Sequence, residues 1–484
     1  MTMGRRKRLD YQGEMLTYKQ VIPIEGRVSE RDGVYGHHRA GHQLNFSFVE
    51  QAGSANAFRD PAFSENKTQP LHRWVPWIAG FSAQFVQDCF ETFLKDRRKK
   101  SIPCVLDPFA GVGTTLVQAL LNGINCIGFE INPYAALACN VKLNSPRLDL
   151  GTLESYCLEY QKVVGLARHP AVIRRPAEFQ TRIPFFSPSV EEQALAFLDF
   201  VERIPYPEVA DLLRVAFGSV MVSFSNYTYE PSLGSRPGAG KPLIENADVH
   251  SAIARKLSEM VSDICWLKER VGSLRSVEGQ VYNLDFLASE DVLSPGSVDL
   301  MVTSPPYMNN YHYVRNTRPQ LFWLSLVSSP KELRRLEEGN FGKYWQTVRG
   351  AEPVELHFHY PQLVEILARL RETRPEKGPY GGRGWANYVA AYFNDCDRFC
   401  RVLKRTLARR GVGVVVIGNS IIQGHEIKTD LILAHMARQH GFELVGVQRI
   451  RTKRVGASIT TSAVRRGDQS QATLYESAIT VRKK

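Results

Sequence analysis

The chain has 484 residues, room for roughly three domain-sized units at about 150 residues each. Apolar residues make up 43% and charged residues 23%, near the globular average, which excludes a wholly disordered or fibrous chain. The net charge is +12, and the two ends carry +10 of it: +3 over residues 1–10 and +7 from Arg449 to Lys484, a placement that attracts polyanions such as nucleic acid.

The longest apolar runs fall far short of the ~20 residues that a membrane-spanning helix needs, so no membrane association is expected. Arg5, Arg6, Lys7 and Arg8 run into Leu9-Asp10-Tyr11-Gln12 rather than a continuous apolar stretch, which argues against a secretory signal and for a cytoplasmic chain. The eight cysteines are scattered with no Cys-x-x-Cys pair, as suits small core residues in a reducing compartment. His357 and His359 have no carboxylate or cysteine cluster in step, and no metal is expected.

In chain order, residues 1–70 lack sustained periodicity and read as an irregular basic N-terminal arm. From Phe81 to Leu94 apolar residues recur every three or four positions, predicting a helix with Ser82 near its start and the basic run Arg97–Lys100 behind its end. Cys104-Val105-Leu106 predicts a strand, Asp107 to Gly113 a turn, Thr114 to Asn122 a helix ending at Gly123, and Cys126 to Phe129 a second strand. That β-α-β unit points to an α/β fold with a mostly parallel sheet and helices on its faces.

Residues 151–279 break the alternation and read as a helical insertion, with helices at Glu191–Glu202, Val209–Val222 and Val249–Val271. Between the last two lies a long Gly- and Pro-rich loop, from Asn226 to Pro242. The strand–helix rhythm resumes at Val281, and Ser297 to Val302 is apolar and runs into Thr303-Ser304-Pro305-Pro306-Tyr307. After an irregular insertion at about 308–383, Trp385 to Arg410 predicts a helix with Gly411 as its C-cap. A strand at Val412–Ile417, a helix at Ile427–His440 and strands at Glu443–Ile450 and Ser477–Val481 follow. The expected organisation is therefore 1–70, 71–150, 151–279 and 280–484.

Two motifs carry chemistry. In Asp107-Pro-Phe-Ala-Gly-Val-Gly-Thr-Thr115, glycines directly after a strand let the backbone approach a ligand, and the following helix offers free amides to a negative group. Glu130 follows Gly111 by 19 residues, at the end of the next strand, where a carboxylate can accept from both ribose hydroxyls of a nucleoside cofactor. In Thr303-Ser-Pro-Pro-Tyr307 two prolines fix a rigid turn and remove two donors. Carbonyl oxygens there, a serine hydroxyl and an aromatic face suit a planar ring bearing an amino group.

With both motifs, 189 residues apart from Thr115 to Ser304, the chain resembles the S-adenosylmethionine-dependent amino-methyltransferases, which methylate cytosine N4 or adenine N6 in nucleic acid. The resemblance covers about 71–150 and 280–484. It implies a Rossmann-like methyltransferase fold, S-adenosylmethionine as cofactor and double-stranded DNA as partner, with RNA as the alternative and companion restriction or defence proteins possible partners. Asp107, Phe109, Gly111, Gly113 and Thr114 would line the methionine end of the cofactor. Glu130 would hold the ribose, Asn132 would support that loop, and Asp285 would contact the adenine amino group. Phe81 stands where the family has an extra cofactor-binding segment, and Glu476 to Arg482 resembles its last strand.

Ser304, Pro305, Pro306 and Tyr307 would be the catalytic turn. The family's serine form is commoner among cytosine-N4 enzymes, which implies a site-specific cytosine-N4 DNA methyltransferase, with an adenine-N6 DNA enzyme or an RNA base-amine methyltransferase as alternatives. One arrangement in the family places target recognition between the two motifs, here 151–279, with Arg236 and Lys241 on the loop Tyr227–Lys241. The polar and aromatic residues Asn309, Asn310, Tyr311, His312, Tyr313 and Arg315 suit gripping a flipped base.

Overall fold

The computed structural model describes residues 58, 63–77, 80–96, 102–166, 175–229, 232–271, 277–308, 312–453 and 474–484. The expectations placed on 1–57, on Arg97–Lys100, on Asn309, Asn310 and Tyr311, and on the charges between 454 and 473 lie outside the described residues.

Seven strands form the main sheet: β1 (Cys104–Asp107), β2 (Asn125–Phe129), β3 (Gly279–Tyr282), β4 (Val298–Thr303), β5 (Leu407–Gly418), β6 (Phe442–Lys453) and β7 (Leu474–Lys483). Their spatial order is β3-β2-β1-β4-β5-β7-β6. The first five run parallel, and β7 enters antiparallel between β5 and β6. This is the doubly wound α/β methyltransferase fold expected from the sequence. Strand order reverses between β1 and β4, so a crevice opens beyond their C-terminal ends, where open parallel sheets bind ligands. Both motifs start there.

Helices cover both faces. Ala83–Phe93 (α1) begins at Ser82, whose Oγ accepts from the Gln84 amide at 3.1 Å. Thr114–Leu121 (α2) follows the glycine turn, and Pro133–Asn144 (α3) follows β2. In 151–279, Leu150–Leu166 (α4), Pro188–Glu202 (α5), Pro207–Val220 (α6) and Val249–Val271 (α7) bury Phe197, Leu213 and Ile264 in the same apolar cluster as Val105 and Leu300 of the sheet. The insertion therefore shares its core with the sheet. Asp263 of α7, 2% exposed, accepts from the Leu71 amide, the Arg73 guanidinium and Trp74 Nε1, and so holds the segment 71–77 against α7. Within 1–70, Asn66 is tied to the core: it donates to the Phe81 carbonyl at 3.1 Å and accepts from the Ala83 amide at 3.0 Å.

Two expectations need correction. The stretch 308–383 is not irregular, for it holds the helices Tyr313–Asn316 (α8), Arg318–Trp323 (α9), Pro330–Gly339 (α10), Trp345–Val348 (α11) and Pro361–Glu372 (α12). Four are short or lack an apolar stripe, α10 burying no residue at all, so periodicity could not report them. The next helix, Gly382–Thr406 (α13), stops four residues before Arg410. Leu407 turns extended (φ −62°, ψ 138°) and opens β5, pairing with Val298. Gly411 is not a C-cap: a Cβ on it would lie 2.8 Å from the Ala408 carbonyl and 3.1 Å from that of Val298. Thr429–Gln439 (α14) completes the helices, and none described is long and apolar enough to cross a membrane.

Candidate active site

The turn after β1 is shaped by its glycines. Gly111 (φ +52°) and Gly113 (φ +90°) sit in the left-handed region that favours glycine. A Cβ on Gly111 would lie 3.1 Å from Trp77 Nε1, and one on Gly113 3.0 Å from Cys139 Sγ. The turn is gripped from outside the motif. The Ala110 amide donates to the Phe129 carbonyl at 2.9 Å, Cys139 Sγ to the Gly111 carbonyl at 3.1 Å, and the buried Lys142 ammonium to the Val112 carbonyl at 2.8 Å. Burial pushes the Lys142 ammonium down to about 8.

Asp107 is fully buried at the end of β1. Its Oδ1 accepts from Thr303 Oγ1 at 2.6 Å, joining the two motif strands, and from the Phe109 amide at 3.1 Å. Among the described residues no donor is directed at its Oδ2, the nearby Thr115 hydroxyl donating to the Val302 carbonyl. Burial raises the carboxyl to about 6. A buried acceptor without a donor is costly, so this oxygen suits an ammonium such as that of the cofactor's methionine end.

Glu130 closes the other side. Its Oε2 accepts from the Gly111 amide and its Oε1 from the Asn132 amide, each at 2.8 Å. Burial raises its carboxyl to about 7 against those two bonds. The Ile131 amide adds a third bond, and the carboxylate still has acceptor capacity left for a hydroxyl. Asn132 caps α3, its Oδ1 accepting from the Tyr134 and Ala135 amides, while its Nδ2 donates to Thr317 Oγ1 at 2.7 Å. Asp285 caps the short helix Phe286–Asp291 through the Leu287 amide at 2.9 Å, and burial raises its carboxyl above the usual range.

At the end of β4, Ser304 Oγ lies 3.5 Å from the Tyr307 hydroxyl, toward which it donates. The Pro306 carbonyl is taken by the buried Tyr392 hydroxyl at 2.9 Å, and the Met308 carbonyl by Ser420 Oγ at 3.0 Å. The prolines thus hold a turn that is also clamped by α13 and by the strand Ser420–Ile422, which pairs antiparallel with His425–Ile427.

These elements meet at one cavity, about 840 Å³ when counted out to its open mouth. Of the residues singled out in the sequence, Phe81, Phe109, Gly111, Thr114, Glu130, Asn132, Asp285, Ser304 and Pro306 line it. Asp107 and Gly113 stand behind that lining, and Pro305 and Tyr307 do not face it. The wall also contains residues that sequence reasoning missed: Trp77 and Gly80 before α1, and Asn340 and Phe341 from the stretch 308–383. Tyr313, named only as a possible grip on the base, lines the cavity and stacks on Trp77 (centroids 6.1 Å apart, 14° between planes). Phe341 packs edge-on against Phe109 at 4.8 Å.

A family model described as a DNA methylase matches residues 61–140. Similar proteins include Type II methyltransferase M.BsoBI of Geobacillus stearothermophilus, 24% identical over 82% of this chain and 83% of its own. Type II methyltransferase M.AvaI of Nostoc sp. is 23% identical over 79% of this chain and 81% of its own. Over a shorter stretch, Type II methyltransferase M.MjaII of Methanocaldococcus jannaschii is 35% identical across 100 residues, 21% of this chain and 18% of its own. The strand order and the meeting of both motifs at one cavity agree with these likenesses, which make the chain similar to DNA methylases and to Type II methyltransferases over most of its length.

Proposed function

We propose that the chain is a type II modification enzyme that transfers the methyl group of S-adenosylmethionine to N4 of a cytosine flipped out of duplex DNA. One observation carries the reading: Ser304 opens on the same cavity as Gly111 and Glu130, so a methyl donor held by the glycine turn and a base held by the proline turn would face each other. The relatives' description as Type II methyltransferases supports the restriction-modification setting.

S-adenosylmethionine supplies a sulfonium methyl group, and the residues around it have separable tasks. Asp107, behind the lining, would draw the ammonium by its charge, while the amides after Gly113 at the start of α2 would take the carboxylate, Glu130 the ribose hydroxyls and Asp285 the adenine amine. Phe81 and Phe109 would flank the cofactor. An exocyclic amine is a poor nucleophile because its lone pair is shared with the ring. Hydrogen bonds from its N–H groups to Ser304 Oγ and the Pro305 carbonyl would favour a pyramidal nitrogen with a localised lone pair. Of the two proline carbonyls, that of Pro306 is engaged by the Tyr392 hydroxyl. A paired base cannot reach such a pocket, hence the flipping step.

Target reading falls to 151–279. In its loop the strands Tyr227–Tyr229 and Leu233–Ser235 form a hairpin that the Tyr229 hydroxyl ties to the Asn316 carbonyl at 2.9 Å, and Arg236 Nε donates to the Pro242 carbonyl. Alanine at Arg236 and Lys241 should weaken DNA binding and leave cofactor affinity unchanged; unchanged DNA binding would remove the loop from the reading.

The direct test incubates the protein with labelled S-adenosylmethionine and unmethylated genomic DNA or total RNA, then identifies the methylated nucleoside by mass spectrometry. N4-methylcytosine in DNA is expected. N6-methyladenine would overturn the choice of base, and label in RNA alone would overturn the choice of nucleic acid.

A further inference from the structure

Serine is an ambiguous residue to place against an amine. As an acceptor it draws on N–H and sharpens the nitrogen lone pair; as a donor it would bond that lone pair and block methyl transfer. Something must set its direction.

Behind Ser304 runs a short chain of polar groups. Ser304 Oγ is oriented to donate to the Tyr307 hydroxyl, which hydrogen-bonds the Glu476 carboxylate. Glu476 lies on β7, 8% exposed, opposite Gly418 in register. Gly418 makes the approach possible, since a Cβ there would lie 3.2 Å from Tyr307 Cε2 and any larger group would displace the ring. On the other side Glu476 is paired in register with Arg451 of β6, a cation on a neighbouring strand.

We propose that Glu476 is a positioning residue that fixes the direction of this hydrogen-bond chain and so makes Ser304 Oγ an acceptor for the target amine. An ionised carboxylate can only accept, so Tyr307 must donate to it. The Tyr307 oxygen then has lone pairs free, and Ser304 gives its proton inward to them. The Ser304 lone pairs are left facing the cavity. No proton changes owner; the carboxylate only removes the wrong rotamer of each hydroxyl. This rests on the methyltransferase reading above, because it needs an amine at Ser304.

The test compares Glu476→Asp, Glu476→Gln and Glu476→Met in the full chain, with kcat, KM for DNA, cofactor Kd and thermal stability read for each. Aspartate still only accepts, glutamine can bond either way round, and methionine leaves Tyr307 free to donate toward Ser304. The expected order of kcat is Asp, Gln, Met, with Met about tenfold or more below the parent and cofactor Kd within about twofold. A packing role predicts the reverse, because methionine conserves the buried volume and aspartate removes a methylene. Kcat following that reverse order would overturn the proposal. Tyr307→Phe keeps the ring and cuts the chain, and serves if a Glu476 variant does not fold: a loss of kcat similar to that of Glu476→Met is expected, and parental kcat would overturn the proposal. Should the parent protein itself transfer no methyl group, the methyltransferase reading fails and takes this proposal with it; should the parent be active and the order reversed, only the proposal falls.

Discussion

The glycine turn between β1 and α2 and the short loop Asn340–Lys343 wall the same cavity, yet they are built by different physics. The turn is local. Asp107, Gly111 and Gly113 sit within seven residues, their geometry follows from a strand ending and a helix starting, and Glu130 meets the Gly111 amide after a single crossover. The later loop is imposed from a distance. The Gly342 amide donates to Asp395 of α13 at 2.9 Å, and Gly342 (φ +75°) lies so close to Tyr392 that a Cβ would come within 2.3 Å of its ring. One wall is written in consecutive residues. The other exists only once α13 has packed.

The difference can be broken or sharpened by experiment. Gly342→Ala should have the largest effect, since it combines a left-handed backbone with a clash against a buried ring. A loss of about 3 kcal/mol in chemical unfolding is expected, with weaker cofactor binding; parental stability and binding would show that the distant wall does not matter. Gly111→Ala changes the local wall, and its left-handed penalty of roughly 1–2 kcal/mol together with the Trp77 contact should raise the cofactor Kd about tenfold or more in calorimetry, with little loss of fold. An unchanged Kd would place the ligand elsewhere.

A third effect is one of pH. Glu130 is raised to about 7, so the free protein protonates it as pH falls through that value and loses an acceptor for the ribose. Cofactor affinity should drop about tenfold between pH 8 and pH 6, and Glu130→Gln should flatten the curve. The same shift acts oppositely on the ligand-free fold. A carboxyl held above its ordinary value makes the fold less stable as pH rises from ~4.5 to ~7, so melting without cofactor should favour the acidic side. Smallest is Asn132→Ala, which removes the α3 cap and the Thr317 bond and should cost about 1 kcal/mol of stability. A much larger loss would mean that this one side chain joins the two walls.

The same contrast explains what the sequence disclosed. The strand–turn–helix–strand unit, Ser82 as a cap and helix 249–271 were legible because strand ends, caps and apolar stripes are short-range signals. Helix α3 was not, because Tyr134, Ala135, Ala138, Cys139, Val141 and Leu143 are buried around most of its surface and leave no stripe. Lys142 and Cys139, which brace the glycine turn, were invisible for the same reason: a lysine at a helix end reads as solvated until the fold buries it. The extension of the helix past Thr406 failed because Leu407 fits an apolar stripe and a buried strand equally well, and only its pairing with Val298 decides. Trp77, Asn340 and Phe341 reach the cavity by packing alone.

Asp263 bears on how such enzymes could exchange specificity. Its carboxylate, on the last helix of the region proposed for target reading, gathers Leu71, Arg73 and Trp74, and the chain continues from them to Trp77 at the cavity wall. A chimaera that imported 151–279 from another enzyme would cut that tether unless Arg73 and its acid travelled together. The region is therefore not a detachable cassette: a graft is expected to inherit a new target only if its junction is drawn upstream of residue 71, and a cut drawn at 151 should disturb cofactor binding before any DNA is present.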